Sequence, residues 1–309
     1  MSEQKPSIPL LGFTVALIAL IVGVGILLPA RTGLAVTWGL IAVAMLGMLV
    51  TISLRLGKGP AGALIDPARN MMSLSRFQVV LWTWLILSAF ITVALARVWD
   101  ARAHPDAYVA KPAQATEAKP QSAEPLGIQL PALLWALMGV SVASSVLSPL
   151  LQASKAQRTG AQDEGQKRAA KAHRRSAEEV PTFSAAFAAR RAAEPAVEEE
   201  VGDTPPTGAV VKKSSWDKAE FSDLFTGEEV STFGYVDVAK LQNFFFTVIA
   251  AIAYAVALVG SMSAAKSIAS FFIFPEVPSG LLAVISISHS GYLIDKAVVH
   301  STPSEPTVP

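Results

Sequence analysis

The stretch Ser73-Leu74-Ser75-Arg76-Phe77-Gln78 runs directly into Val79-Val80-Leu81-Trp82-Thr83, and its reading decides the fold. A short polar segment carrying a cation and leading into an apolar run has the form of a helix entering a bilayer. A second copy follows as Asp237-Val238-Ala239-Lys240-Leu241-Gln242, then Asn243-Phe244-Phe245-Phe246-Thr247. After a loop, each copy is succeeded by a proline-led apolar helix with serine near its middle. The first runs from Pro131 through Met138-Gly139-Val140-Ser141, the second from Pro278 through Ile285-Ser286-Ile287-Ser288. A duplicated pair of transmembrane helices is the simplest explanation.

The composition agrees. Of 309 residues, 52% are hydrophobic and only 16% charged, and the apolar residues are bunched into long runs. A run of about 20 apolar residues spans the roughly 30 Å hydrocarbon core, because a helix rises about 1.5 Å per residue. The expected fold is an all-α integral membrane protein with six transmembrane helices arranged as three hairpins. The spans are about Ile8 to Pro29, Leu34 to Leu54, Phe77 to Val98, Pro131 to Leu151, Phe244 to Met262 and Ser279 to Ala297. The first reads as a retained helix, because its apolar stretch exceeds a signal-peptide core and Leu28-Pro29-Ala30 is a poor cleavage site. Cysteine is absent, which removes disulfides, thiolate metal sites and a cysteine nucleophile.

The organisation follows from these spans. Residues 1–72 form an N-terminal hairpin with a basic loop holding Arg55, Lys58 and Arg69, 73–151 the first repeated hairpin, and 237–300 the second. Residues 152–236 form a polar loop, basic at first (Lys155, Arg158, Lys167, Arg168, Lys171, Arg174, Arg175) and broken by Glu198-Glu199-Glu200 and Pro205-Pro206. Most of that loop and the tail 301–309 read as disordered. From 216 to 235 the aromatics return, and Trp216, Phe221 and Phe225 form a candidate docking element for a partner or for the membrane surface. The basic loops face the cytoplasm under the positive-inside rule, which puts both termini inside and residues 99–129 outside.

Laying position 74 on 238 pairs Arg76 with Lys240, Gln78 with Gln242, Thr83 with Thr247 and Phe90 with Tyr254. Laying 131 on 278 pairs Leu134 with Leu281, Ala136 with Ala283 and Ser141 with Ser288. Both hairpins run in, out and back in, so they are expected to be parallel repeats about an axis along the membrane normal. Small residues at i,i+4 spacing (Gly139 with Ala143, Ser141 with Ser145, Ser286 with Ser290) suit close helix packing.

The motif residues Ser73, Arg76, Gln78, Trp82 and Thr83, with Leu137, Gly139, Val140 and Ser141, resemble those of a group of bacterial multi-pass membrane proteins with no established activity. That group shares a Ser-x-x-Arg-x-Gln start to a Trp/Phe-Thr helix and a later Leu-x-Gly-Ile-Ser helix. The second copy departs from it with Lys240 for arginine and Ser286 for glycine. The resemblance covers spans three to six and implies a bacterial membrane location but no activity.

Chemistry-bearing residues are few. His289 sits between Ser288 and Ser290 inside the sixth span, and an ionisable group in a span is a candidate for proton or ion handling. His104, His173 and His300 fall in connectors without metal-ligand spacing, and the spans hold no paired carboxylates. No enzyme activity, cofactor, metal or nucleic-acid partner is expected. The expected function is an anchor or scaffold in the bilayer, presenting a cytoplasmic segment to a protein partner or to another copy of itself. The alternative is a small channel or transporter using a polar seam of Thr83, Ser141, Thr247, Ser288 and His289.

Overall fold

The computed structural model describes residues 8–108, 124–160, 210–229 and 232–298. The basic run from Lys167 to Arg175, the break at Glu198 to Pro206 and the tail 301–309 lie outside the described residues. Helices dominate: α1 (Ile8–Leu27), α2 (Pro29–Thr32), α3 (Leu34–Arg55), α4 (Leu74–Ala103), α5 (Ala132–Gly160), α6 (Val238–Ala264) and α7 (Ser279–Ala297). A two-stranded ribbon, β1 (Ile65–Asp66) with β2 (Met71–Met72), lies between α3 and α4 in sequence.

Among the described residues, four helices are long and apolar enough to cross a membrane: Leu34–Arg55, Leu74–Ala103, Ala132–Leu151 and Val238–Ala264. The apolar stretch of α1, Gly12–Leu27, is shorter, and α7 has 19 residues. The polarity of the helix faces is inverted relative to a water-soluble protein. On α6 the exposed stripe is Phe245, Ile249, Ile252, Val256 and Val259, whereas Lys240, Asn243 and Thr247 are buried. Apolar outside and polar inside is the pattern of helices solvated by lipid. These are the helices of a multi-pass membrane protein.

The chain divides into two compact units. The first comprises Met1–Ala63, Val80–Gly139 and Val248–Ala283. Here Ile21 of α1 packs with Ile41, Ala44 and Met45 of α3, and Trp84 and Ile91 of α4 close over them. Two indole N–H groups cross from helix to helix: Trp38 donates to Ser88 Oγ at 2.9 Å, and Trp84 to the Ala42 carbonyl at 2.8 Å. Gly33, at φ 83°, reverses the chain between α2 and α3 in the left-handed region that suits glycine.

Arg97 organises the loops of this unit. It is fully buried on α4 and donates to four carbonyls: Glu124, Pro125, Ala269 and Phe271, at 2.6 to 3.2 Å. Its guanidinium lies 5.0 Å from the Tyr108 ring centroid. Those carbonyls flank a parallel bridge between Gln129 and Ile273, so one side chain joins the segments that precede α5 and α7. At the end of α4, Asp100 is in contact with His104 Nδ1 at 2.9 Å and accepts from the Tyr108 hydroxyl at 3.0 Å. Burial, then that hydrogen bond, raises the Tyr108 pKa above its ordinary value.

The second unit comprises Leu64–Val79, Val140–Thr247 and Val284–Pro309. Its β1–β2 ribbon turns through an Asx geometry, in which Asp66 Oδ1 accepts from Ala68 N at 3.0 Å and Asn70 takes φ 54°. Met71 of the ribbon shares a small core with Val211 and Phe233. Asp237 caps α6, its Oδ1 accepting from Lys240 N at 3.0 Å, and α4 begins directly after Ser73.

Candidate functional site

Residues 210–229 and 232–237 fold against the ribbon as a small module in the second unit. Arg69 Nε donates to the Val211 carbonyl at 3.0 Å, and Asn70 Nδ2 to the Lys213 carbonyl at 3.1 Å. At its centre Lys213 and Asp223 form an ion pair of 2.6 Å with both side chains fully buried. Asp223 also accepts from the backbone N–H groups of Met72 (3.2 Å) and Glu220 (2.9 Å), while Lys213 Nζ donates to the Lys218 carbonyl at 2.7 Å. A buried pair survives the loss of hydration only when its remaining hydrogen-bonding capacity is met in this way.

Three further cations converge on one oxygen of the module. Glu228 Oε1 lies 2.6 Å from Lys296 Nζ, 3.2 Å from Lys240 Nζ and 3.5 Å from Arg69 Nη1. Lys240 Nζ also donates to the Thr226 carbonyl (2.7 Å), and Lys296 Nζ to the Tyr292 hydroxyl (3.1 Å). A cavity of about 350 Å³ opens beside this cluster, lined among others by Lys240, Lys296, Tyr292, Asp237, Asp295 and Glu229.

The rings singled out in the sequence meet different fates. Phe225 packs edge-on to Phe244 of α6 with centroids 5.0 Å apart, and Phe77 of α4 lies 5.3 Å from the same ring. Phe221 touches both Phe225 and Phe244, yet stays 54% exposed. Trp216 is half-buried at the start of a short 3₁₀ turn, Trp216–Lys218.

Among the repeat positions, Gln78 is fully buried and donates Nε2 to Asn243 Oδ1 (3.0 Å) and to Thr247 Oγ1 (2.9 Å). Thr247 in turn donates to the Asn243 carbonyl at 2.8 Å. Lys240, Ser141, Ser288 and His289 are buried as well, whereas Arg76, Thr83 and Gln242 are exposed. His289 donates its Nδ1–H to the Ile285 carbonyl at 3.0 Å. Several buried polar atoms have no hydrogen-bond partner among the described residues: Gln78 Oε1, Asn243 Nδ2, His289 Nε2 and the hydroxyls of Ser141, Ser144 and Ser288.

Sequence reasoning missed three residues. Arg97 carried a signal, since a cation lay within the expected third span. Asn243 was passed over in favour of the neighbouring Gln242, which matches Gln78 by identity. Glu228 carried none, because its meaning lies in three cations distant in the chain. Compared with models of protein families, with curated proteins and with solved structures, the chain finds no match.

Proposed function

We propose that the chain is a six-span membrane anchor whose last two hairpins are an internal repeat, and that it presents the 64–72 and 210–237 module at the cytoplasmic surface to a protein partner, a second copy of the chain included. The observation that carries this reading is the fully buried Lys213–Asp223 pair, inside a module sewn together from segments about 140 residues apart in the chain. A mere connector between spans gains nothing from burying two charges, since their desolvation is costly. A rigid platform gains a single, well-defined surface. Phe221 is a large ring left exposed on that surface, and such rings anchor interfaces.

In this reading α1 and α7 complete the six spans, and the basic residues Arg55, Lys58, Arg69 and Arg76 set the module's side. The burial pattern supports the repeat, in a register one residue from that of the matching identities. The eight buried residues of α6 are Lys240, Asn243, Thr247, Ala250, Ala251, Tyr254, Leu258 and Met262, and each follows a buried residue of α4 by 165 positions. Likewise Ile285, His289, Tyr292 and Lys296 of α7 each follow a buried residue of α5 (Leu137, Ser141, Ser144, Ser148) by 148 positions. Both offsets are one greater than those from residue identity, so Gln78 pairs with Asn243 and Ser141 with His289.

The test is recovery of a partner with full-length protein in detergent. A protein bound by the wild type and lost with Phe221→Ala, at unchanged unfolding temperature, supports the anchor. A second reading, a small channel or transporter, is favoured by the buried polar atoms without partners along α4 to α7. Ion or proton flux in liposomes that disappears with His289→Ala, beside unaltered partner recovery by Phe221→Ala, would replace the anchor with that reading.

A further inference from the structure

Ser75 Oγ of α4 meets the Tyr292 hydroxyl of α7 at 3.4 Å, and this contact sets the relative height of the two helices. The second unit holds the start of α4 and the end of α7, so the two run antiparallel there. Gln78 and His289 each lie three residues further in the same direction, about 4.5 Å of helix rise, and so at one height. Asn243 of α6 joins that height through its bond to Gln78, and Ser288 adjoins His289. All four residues are more than nine-tenths buried, and each keeps a polar atom without a hydrogen-bond partner among the described residues.

Their other contacts fix what those atoms can do. Thr247 Oγ1 uses its one proton on the Asn243 carbonyl, so it can only accept from Gln78 Nε2, which leaves Gln78 Oε1 over. Asn243 then offers Oδ1 to the same Nε2, and its Nδ2–H is left. A carbonyl only accepts, so the His289 nitrogen facing Ile285 is Nδ1–H, and Nε2 of the uncharged imidazole is a lone-pair acceptor. Ser288 brings a hydroxyl that can donate. Two acceptors and two donor groups remain, which is the complement of one water molecule. Buried water makes roughly two to four bonds to groups of this kind, which are costly to leave unmet.

We propose that Gln78, Asn243, Ser288 and His289 bind a single water molecule, which donates to Gln78 Oε1 and His289 Nε2 and accepts from Asn243 Nδ2 and the Ser288 hydroxyl. The site joins α4, α6 and α7 through one exchangeable ligand and holds His289 in its Nδ1–H form. Tyr292 also lines the cavity of about 350 Å³, so this water lies one helical turn from an opening through which it exchanges. The water site is common to the anchor and the transporter and depends on neither.

The experiment is solid-state NMR of the full chain in lipid bilayers, with its histidines labelled with nitrogen-15. The His289 signals are those absent from the His289→Gln variant. The wild type is expected to show a protonated Nδ1, a bare Nε2 and magnetisation transfer from water to the ring protons beside Nε2. Gln78→Leu, Asn243→Leu and Ser288→Ala should each cut that transfer at least twofold, because each removes one of the four bonds that hold the water. A proton on Nε2 instead of Nδ1 overturns the proposal, as does a wild-type ring that receives no transfer from water, and neither result requires a variant to fold. Transfer that stays unchanged in all three variants also overturns it, since the water would then be held by other groups.

Discussion

The Gln78 side chain donates from Nε2 to Oδ1 of Asn243 across 3.0 Å, with both residues fully buried. α4 and α6 are thus joined by two amides rather than by apolar packing alone. Replacing either residue by leucine leaves the other amide without this partner, at a cost of about 1 to 3 kcal/mol. The double leucine variant should cost little more than either single one, so the coupling in an unfolding titration in mixed micelles should be about as large as one single loss. Strictly additive losses would show that the two amides do not act on each other.

The same pair tests the register of the proposed repeat. If Asn243 is the counterpart of Gln78, the exchange variant Gln78→Asn with Asn243→Gln should stay within about 1 kcal/mol of the wild type. Gln242→Ala, at an exposed position, should change stability by less than about 0.5 kcal/mol. A large loss at Gln242 with tolerance at Asn243 would return the register to the one given by residue identity.

At the other end of α4, Arg97 supplies donors to four carbonyls from two loops. Arg97→Met should destabilise by about 3 kcal/mol or more, because buried acceptors are left unsatisfied at about 1 to 3 kcal/mol each. Arg97→Lys should recover less than half of that, since an ammonium is a point donor and cannot reproduce the guanidinium fork. Equal stability of the lysine variant and the wild type would contradict this role.

The module has its own test. Lys213→Met strands Asp223 in a fully buried position, and breaking such a pair costs about 3 to 5 kcal/mol. Hydrogen exchange of residues 210–229 should rise steeply in that variant while α3 and α4 stay protected. Unchanged protection of 210–229 would mean that the pair does not hold the module together.

How these features were read from the chain depended on what each one rests on. Helix positions followed from apolar run length and punctuation: Ser279–Ala297 matches its expected bounds, and α4 extends its span only at the ends. The inward faces did not follow as readily. Matching Gln78 to Gln242 rests on identity, but a shift of one residue turns a helical position by about 100° and so exchanges a buried face for an exposed one. Gln242 and Thr83 fall on the exposed side for that reason, while Thr247 and Lys240 fall inside. The rings of Phe221 and Phe225 were visible as apolar groups in a polar segment, but their packing on Phe244 required the fold of the module. Glu228 was beyond reach, because its partners Arg69, Lys240 and Lys296 come from three separate stretches of chain.

The most direct measurement of the central claim, a membrane-spanning anchor holding its module inside, uses the absence of cysteine from the chain. Single cysteines at Ser267 and Ser214, both exposed, are exposed in turn to an impermeant maleimide in intact and in permeabilised spheroplasts. The account predicts that the residue 267 cysteine is labelled in intact cells and the residue 214 cysteine only after permeabilisation. Labelling of the 214 position in intact cells, alone or together with 267, would contradict it.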